Sequence, residues 1–307
     1  MPKQRTYIIG HKKPDTDTIS SAIGYAKYKN KTQNEKYVPA RAGELNPETQ
    51  YVLKKFNVQK PNLLKSLKDK KVILVDHNEF SQSVDGIEQA KLEGVLDHHR
   101  ISKPESQKPI YFHTEPVGST STMVAEKLLR YGELEKSLAG ILLSAILSDT
   151  VVHRSPTNTK KDEEIANKLA EMLDINIEEY GREMLEKKSK IGEKTPREIV
   201  LGDFKEYEMA NRSVSIGQVE TVSPQQVLEK KEKILDEMND IIKERKYDLL
   251  LLLVTDLLEE DSEAFVVGET KRFEEAFGER VEQDSAFLEG VLSRKKQVVP
   301  KIRKQFN

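Results

Sequence analysis

The sequence predicts a two-domain α/β protein: a larger N-terminal domain with a mostly parallel sheet flanked by helices, then a smaller C-terminal α/β domain. Three observations carry that expectation. Short apolar runs at residues 6–9, 72–75 and 95–96 alternate with helical stretches, the pattern of βαβ units on a parallel sheet. Each run leads into acidic or imidazole side chains, and open α/β sheets gather ligands at the carboxyl ends of their strands. The length of 307 residues exceeds what one small core organises.

Taken in order, residues 6–9 read as a buried strand, and 20–29 and 47–56 as helices. Residues 72–75 and 95–96 supply further strands. The stretch 121–131 carries Met123, Val124, Leu128 and Leu129 at helical spacing. Residues 138–147 are apolar nearly all round, the mark of a buried helix, and deliver Ser148-Asp149-Thr150 at its end. An amphipathic helix over 164–173 follows. The polar stretch 187–196 reads as an interdomain linker, so domains are expected over 1–187 and 197–307 with the linker at 188–196. Beyond it, 214–219 reads as a strand and 224–245 as one long charged helix with Val227, Ile234, Leu235, Met238 and Ile241 inward. Residues 249–255 and 264–267 complete the strands.

Composition narrows the function. With 50 basic and 52 acidic residues, no global field marks a binder of nucleic acid or of a membrane surface. The absence of cysteine removes disulfides and thiolate metal sites and fits a reducing cytosol, leaving His, Asp and Glu as ligands. The longest apolar runs, such as 249–254, fall far short of the roughly 20 residues that span a bilayer. The N-terminus has no apolar signal region. A soluble, cytoplasmic protein is expected.

All six histidines lie from His11 to His153, so imidazole chemistry belongs to the first domain. In His11-Lys12-Lys13-Pro14-Asp15-Thr16-Asp17, Pro14 argues against a continuous helix, so His11, Asp15 and Asp17 are expected to converge from a loop. The alternative is that Asp17 or Thr18 only caps a helix beginning near Ile19, which leaves His11 and Asp15 unexplained. Asp76 closes one strand, as a turn-former or a ligand. Asp97-His98-His99 close another, and Asp149 ends the buried helix. Four segments ending in acids and imidazoles point to a shared metal centre with donors enough for two ions. Paired divalent ions about 4 Å apart suit phosphoryl displacement. Imidazole donors tilt the choice from Mg²⁺ toward Mn²⁺ or Co²⁺. The far end supplies a complement: residues 290–307 hold Arg294, Lys295, Lys296, Lys301, Arg303 and Lys304 and no acid. Such a cluster is either a solvated tail or a phosphate-binding element, and the flanking Val291-Leu292 and Val298-Val299-Pro300 favour a folded turn presenting Arg294 and Lys295.

Gly10-His11-Lys12-Lys13-Pro14-Asp15-Thr16-Asp17-Thr18, Val75-Asp76-His77-Asn78-Glu79, Asp97-His98-His99-Arg100, Ser148-Asp149-Thr150 and Ser293-Arg294-Lys295-Lys296-Gln297 together resemble the manganese-dependent family II inorganic pyrophosphatases of the DHH phosphoesterase superfamily. Glu115-Pro116-Val117-Gly118-Ser119-Thr120 fits the same pattern. The resemblance spans nearly the whole chain, and the Ser-Arg-Lys-Lys element is its most specific part. It implies that His11 and Asp15 bind one metal, that Asp17, His98 and Asp149 bind another, and that Asp76 bridges both. It further implies that His99 contacts substrate and assists proton transfer, that Asp97 orients an imidazole, and that Lys205, Arg294 and Lys295 hold pyrophosphate while a metal-activated hydroxide attacks. Two or more Mn²⁺ ions, replaceable by Co²⁺ or Mg²⁺, a homodimer, and an active site between the domains are implied in the same way. Exopolyphosphatase or oligonucleotide phosphodiesterase activity is the alternative within enzymes, and a non-catalytic polyphosphate or nucleotide sensor is the alternative outside them. No glycine-rich nucleic-acid-binding motif stands in the second domain, and a pure binder has little reason to keep the full ligand set.

Overall fold

The computed structural model describes residues 5–102, 104–106, 108–132, 134–187 and 191–306. It divides into two compact units, Met1–Lys188 and Ser189–Asn307. No helix among the described residues is long and apolar enough to cross a membrane.

The first unit runs β1 (Arg5–Ile9), α1 (Thr16–Thr32), β2 (Lys36–Arg41), α2 (Pro47–Lys55), β3 (Asn62–Leu63), β4 (Lys71–Val75), β5 (Lys91–Asp97) and β6 (Tyr111–Thr114), then α3 (Thr120–Tyr131), α4 (Lys136–Asp149), α5 (Lys160–Leu173) and α6 (Ile177–Glu186). The strands form one sheet in the order β3-β2-β1-β4-β5-β6, and every pairing is parallel. Central strands such as β4 are buried almost throughout, so Val72, Ile73, Leu74 and Val75 read as an unbroken apolar run rather than an alternating one. Strands β2, β3 and β6 were not legible in the sequence: β2 contains Pro39, β3 has two residues, and β6 is a short, half-exposed edge. From β1 the chain works outward through β2 and β3, then returns to the other side of β1 for β4. Adjacent β1 and β4 therefore make the switch point of the sheet, the place where open α/β sheets gather ligands at the strands' carboxyl ends.

Helix α4 is buried at every position from Leu138 to Ser148 and forms the hub against which α1, α3 and α5 pack. Gly140 lets the end of α2 approach α4 closely, because a Cβ there would stand 2.1 Å from the Phe56 ring.

The second unit contains α7 (Pro196–Leu201), β7 (Phe204–Met209), β8 (Arg212–Thr221), α8 (Gln225–Leu228), α9 (Lys231–Arg245), β9 (Leu249–Asp256), β10 (Asp261–Gly268), α10 (Thr270–Phe277), β11 (Ser285–Leu288) and α11 (Val299–Phe306). Its sheet, ordered β11-β10-β9-β8-β7, is mixed: β8 and β9 are parallel and the other pairs antiparallel. Alternate leucines of the fully buried β9 point to opposite faces. Leu249, Leu251 and Leu253 pack with Val298, Ile302 and Phe306 on one face. Leu250, Leu252 and Val254 pack with Ile234, Met238 and Ile241 on the other.

Two expectations change here. The helix expected over 224–245 is two helices, broken at Glu229 and Lys230, where the Lys230 ammonium gathers the carbonyls of Gly192 at 2.7 Å and Lys194 at 2.9 Å. Residues 191–196, expected within a linker, are packed: Ile191 is buried in the second unit's core, and Thr195 with Glu198 forms a capping box that starts α7. Residues 188–190 of that stretch lie outside the described residues.

Candidate metal centre

Helix α1 begins earlier than the apolar pattern implies, at Thr16, and its N-cap is Asp15 rather than Asp17 or Thr18. One Asp15 carboxylate oxygen accepts the Thr18 amide at 2.9 Å, while the other stands 3.4 Å from His11 Nε2. A single carboxylate thus caps the helix and faces the imidazole. Asp17, one residue into the helix, is fully buried. Its two oxygens accept the amides of Thr120 at 2.7 Å and Ser121 at 2.8 Å, so the free N–H groups at the start of α3 aim and partly neutralise it.

Asp76 follows β4 in the left-handed region, with φ of 59°, a conformation that acidic residues tolerate better than most. It is nearly inaccessible, at 2 % exposure, and it sits at the centre of the cluster. One oxygen lies 3.5 Å from His11 Nε2 and accepts the Thr18 hydroxyl at 2.6 Å. The other lies 3.5 Å from His98 Nε2 and accepts the Thr120 hydroxyl at 3.1 Å. Each oxygen therefore faces a different imidazole.

His98 is oriented through its far nitrogen: Nδ1 donates to the Val117 carbonyl at 2.9 Å, which turns Nε2 toward Asp76 at 3.5 Å and Asp149 at 4.0 Å. The loop bearing Val117 is held by buried Asp162, which accepts from the Gly118 amide at 2.8 Å and the Thr122 hydroxyl at 2.5 Å. His99, half exposed, has its Nδ1 2.9 Å from Asp97, and its Nε2 is left for other chemistry. Buried Asp97 also accepts Asn78 at 2.6 Å, and Asn78 ties the following loop by accepting the Ser102 amide. His77 is structural, bonded to the Val75 carbonyl and the Ser83 hydroxyl.

The ligand atoms fall into overlapping groups, within each of which all lie within 4.8 Å of one another: His11, Asp15 and Asp76; Asp17, Asp76, His98 and Asp149; and Asp76, His98 and His99. Their electrostatics are in conflict without a cation. Burial, together with the neighbouring Asp76 charge, pushes Asp17 up to about 7. Burial with the charges of Asp17 and Asp76 holds Asp149 well above the usual carboxylate range. For Asp76 burial opposes ionisation, yet His11 and His98 outweigh it and hold the group well below its ordinary value. Burial likewise opposes protonation of the two imidazoles, and the carboxylates facing them outweigh it, raising His11 to about 10 and His98 to about 9. Three carboxylates and three imidazoles crowded around the buried Asp76 carboxylate fit divalent cations, which relieve the repulsion and suit a mixed nitrogen and oxygen donor set.

The basic candidates belong to the second unit. Lys205 is exposed on β7. Ser293 to Gln297 fold into a self-locked turn: the Ser293 hydroxyl accepts the Lys296 amide, and the Gln297 side chain accepts the amides of Leu292 and Ser293 and donates to the Gly290 carbonyl. Lys295 is exposed on this turn, whereas Arg294 is buried and bonded to Asp203. Sequence reasoning considered Thr18 only as a helix cap and gave no role to Thr120, Ser121, Asn78 or Asp203. Of these, Thr18, Asn78 and Thr120 fall within the motif segments, which were the signal available.

Comparison with known proteins matches the two halves separately. Residues 5–146 match the DHH family, N-terminal domain, and residues 182–305 match the DHHA2 domain. A manganese-dependent inorganic pyrophosphatase of Methanocaldococcus jannaschii is 47% identical over 98% of this chain and 99% of its own length. One from Methanothrix thermoacetophila is 43% identical over 98% of each. A crystal structure of a Methanococcus jannaschii protein, described as a family II inorganic pyrophosphatase, covers 98% of this chain and 99% of its own at 46% identity and a TM-score of 0.60.

Proposed function

Because this chain belongs to the manganese-dependent family II inorganic pyrophosphatases, whose reaction is hydrolysis of pyrophosphate to two phosphates, we propose how its own residues carry that reaction. His11 and Asp15 would hold one Mn²⁺, Asp17, His98 and Asp149 a second, and Asp76 would bridge them. The observation that carries this reading is the division of Asp76, one carboxylate oxygen toward His11 and the other toward His98. Co²⁺ would substitute for Mn²⁺, and Mg²⁺ would bind less tightly than either, since nitrogen donors favour the transition metals.

Bound there, the metal pair would acidify a coordinated water and neutralise phosphate oxygens. The chain's part is positional and electrostatic. Thr18 and Thr120 hold Asp76, the start of α3 holds Asp17, and the Val117 carbonyl fixes the His98 tautomer. His99, oriented by Asp97, would present Nε2 to substrate and move a proton to or from a phosphate oxygen. Lys205, Arg294 and Lys295 would neutralise the pyrophosphate oxygens from the second unit. A homodimer and a cytoplasmic location belong to the same proposal.

Phosphate release from pyrophosphate, tripolyphosphate and a dinucleotide, measured side by side with Mn²⁺, tests the substrate. Turnover is expected on pyrophosphate far above the other two. Preference for tripolyphosphate or the dinucleotide would overturn it, and sedimentation analysis would test the dimer.

A further inference from the structure

Glu48, in the first turn of α2, is completely buried, and no cation accompanies it in its hydrogen-bond network. Its Oε1 accepts two hydroxyls: Thr16 at 2.5 Å and Ser148 at 2.7 Å. Thr16 also meets the Thr49 hydroxyl at 3.0 Å, and the Thr49 amide is fixed by Asn46 at 2.7 Å. The second carboxylate oxygen of Glu48 is buried with no hydrogen-bond partner. A buried carboxylate satisfied on one side only is costly.

Its two donors are what distinguish Glu48. Thr16 lies between Asp15 and Asp17 at the start of α1, and Ser148 immediately precedes Asp149 at the end of α4. These segments are more than 100 residues apart in sequence, yet Asp17 and Asp149 offer ligand atoms to one group. Asp17 is fully buried and Asp149 half-buried, and their ligand atoms lie within 4.8 Å of one another, so the two carboxylates repel one another when ionised. Something must hold the two backbones together against that repulsion.

We propose that Glu48 is a positioning residue of the metal centre, a buried acceptor that joins Thr16 to Ser148 and thereby sets the separation of Asp17 from Asp149. It rests on the reading that these two aspartates share an ion. The role is that of an acceptor, not of an added negative charge. Glu48→Gln keeps an oxygen for both hydroxyls and retains the geometry, whereas Glu48→Ala releases both segments.

Mn²⁺ titrations by calorimetry, with electron paramagnetic resonance of the bound ion, test this on the full-length protein, with Asp149→Asn as the reference. Glu48→Ala is expected to weaken one of two Mn²⁺ sites by roughly tenfold or more and to change its spectrum. Its kcat should recover at excess Mn²⁺, with KM for pyrophosphate unchanged. Glu48→Gln should match the wild type in affinity and spectrum. Wild-type Mn²⁺ affinity at both sites in Glu48→Ala overturns the proposal, as does a Glu48→Gln variant no better than Glu48→Ala. If Glu48→Ala does not fold, Ser148→Ala removes one of the two links and should weaken the same site in the same direction; unchanged affinity there overturns the proposal equally. Unaltered Mn²⁺ binding by Asp149→Asn would instead remove the ligand reading beneath it.

Discussion

Arg294 and Asp203 are clamped to one another: one terminal guanidinium nitrogen lies 2.8 and 3.0 Å from the two Asp203 carboxylate oxygens. The other donates to the Asp203 carbonyl at 2.6 Å and the Ile216 carbonyl at 3.2 Å. Arg294 thus ties the start of β7, two residues before Lys205, to β8 and to the turn that carries Lys295. Both terminal nitrogens are engaged, so a phosphate oxygen reaches this guanidinium either at Nε–H or by displacing one of these acceptors.

Arg294→Lys should therefore behave like Arg294→Ala. An ammonium keeps the charge but cannot reproduce a four-acceptor clamp, and loss of a charge-assisted contact costs about 2 kcal/mol. Both variants should lose at least about tenfold in kcat/KM for pyrophosphate while Mn²⁺ binding is retained. Near-normal efficiency in Arg294→Lys would show that charge alone matters, and unchanged efficiency in both would make the cluster a solvated element.

Asp76→Asn should weaken both Mn²⁺ sites together, because one oxygen serves each imidazole group. Turnover is expected to fall by orders of magnitude with the fold intact by circular dichroism. Two fully occupied ions at normal rate would end the bridging assignment.

Gly10→Ala should act on Asp76 through Thr18. A Cβ at Gly10 would stand 2.3 Å from Thr18 Cγ2, and Thr18 donates to Asp76. The displaced hydroxyl should lower stability by roughly 1–3 kcal/mol and weaken Mn²⁺ binding. Unfolding curves and titrations identical to the wild type would mean that the loop relaxes freely.

Mn²⁺ should raise the thermal midpoint and a chelator should reverse it, since a cation relieves the repulsion among Asp17, Asp76 and Asp149. At a hundredfold excess over Kd the gain is about 2.7 kcal/mol per site. Mg²⁺ should give a smaller shift at equal concentration, because His11 and His98 are nitrogen donors. Equal shifts from the two ions would place the imidazoles outside the metals' coordination.

Fold class and the candidate ligand residues were legible in the sequence. Apolar runs ending at His11, Asp76 and Asp97-His98-His99, and the all-apolar helix ending at Asp149, mark both strand ends and donors, because burial and ligation each demand particular side chains at local spacing. Tertiary structure alone decided how those donors meet. The strand order that puts β1 beside β4 brings His11 to Asp76, and packing of α1 on α4 brings Asp17 to Asp149. Supporting residues such as Glu48 and Asp203 carry no periodic or motif signal, and the motifs that contain Thr18 and Thr120 do not reveal their partners. Their roles rest on hydrogen bonds between segments distant in sequence, and a polar side chain's partner is set by the fold that desolvates it, not by its neighbours along the chain.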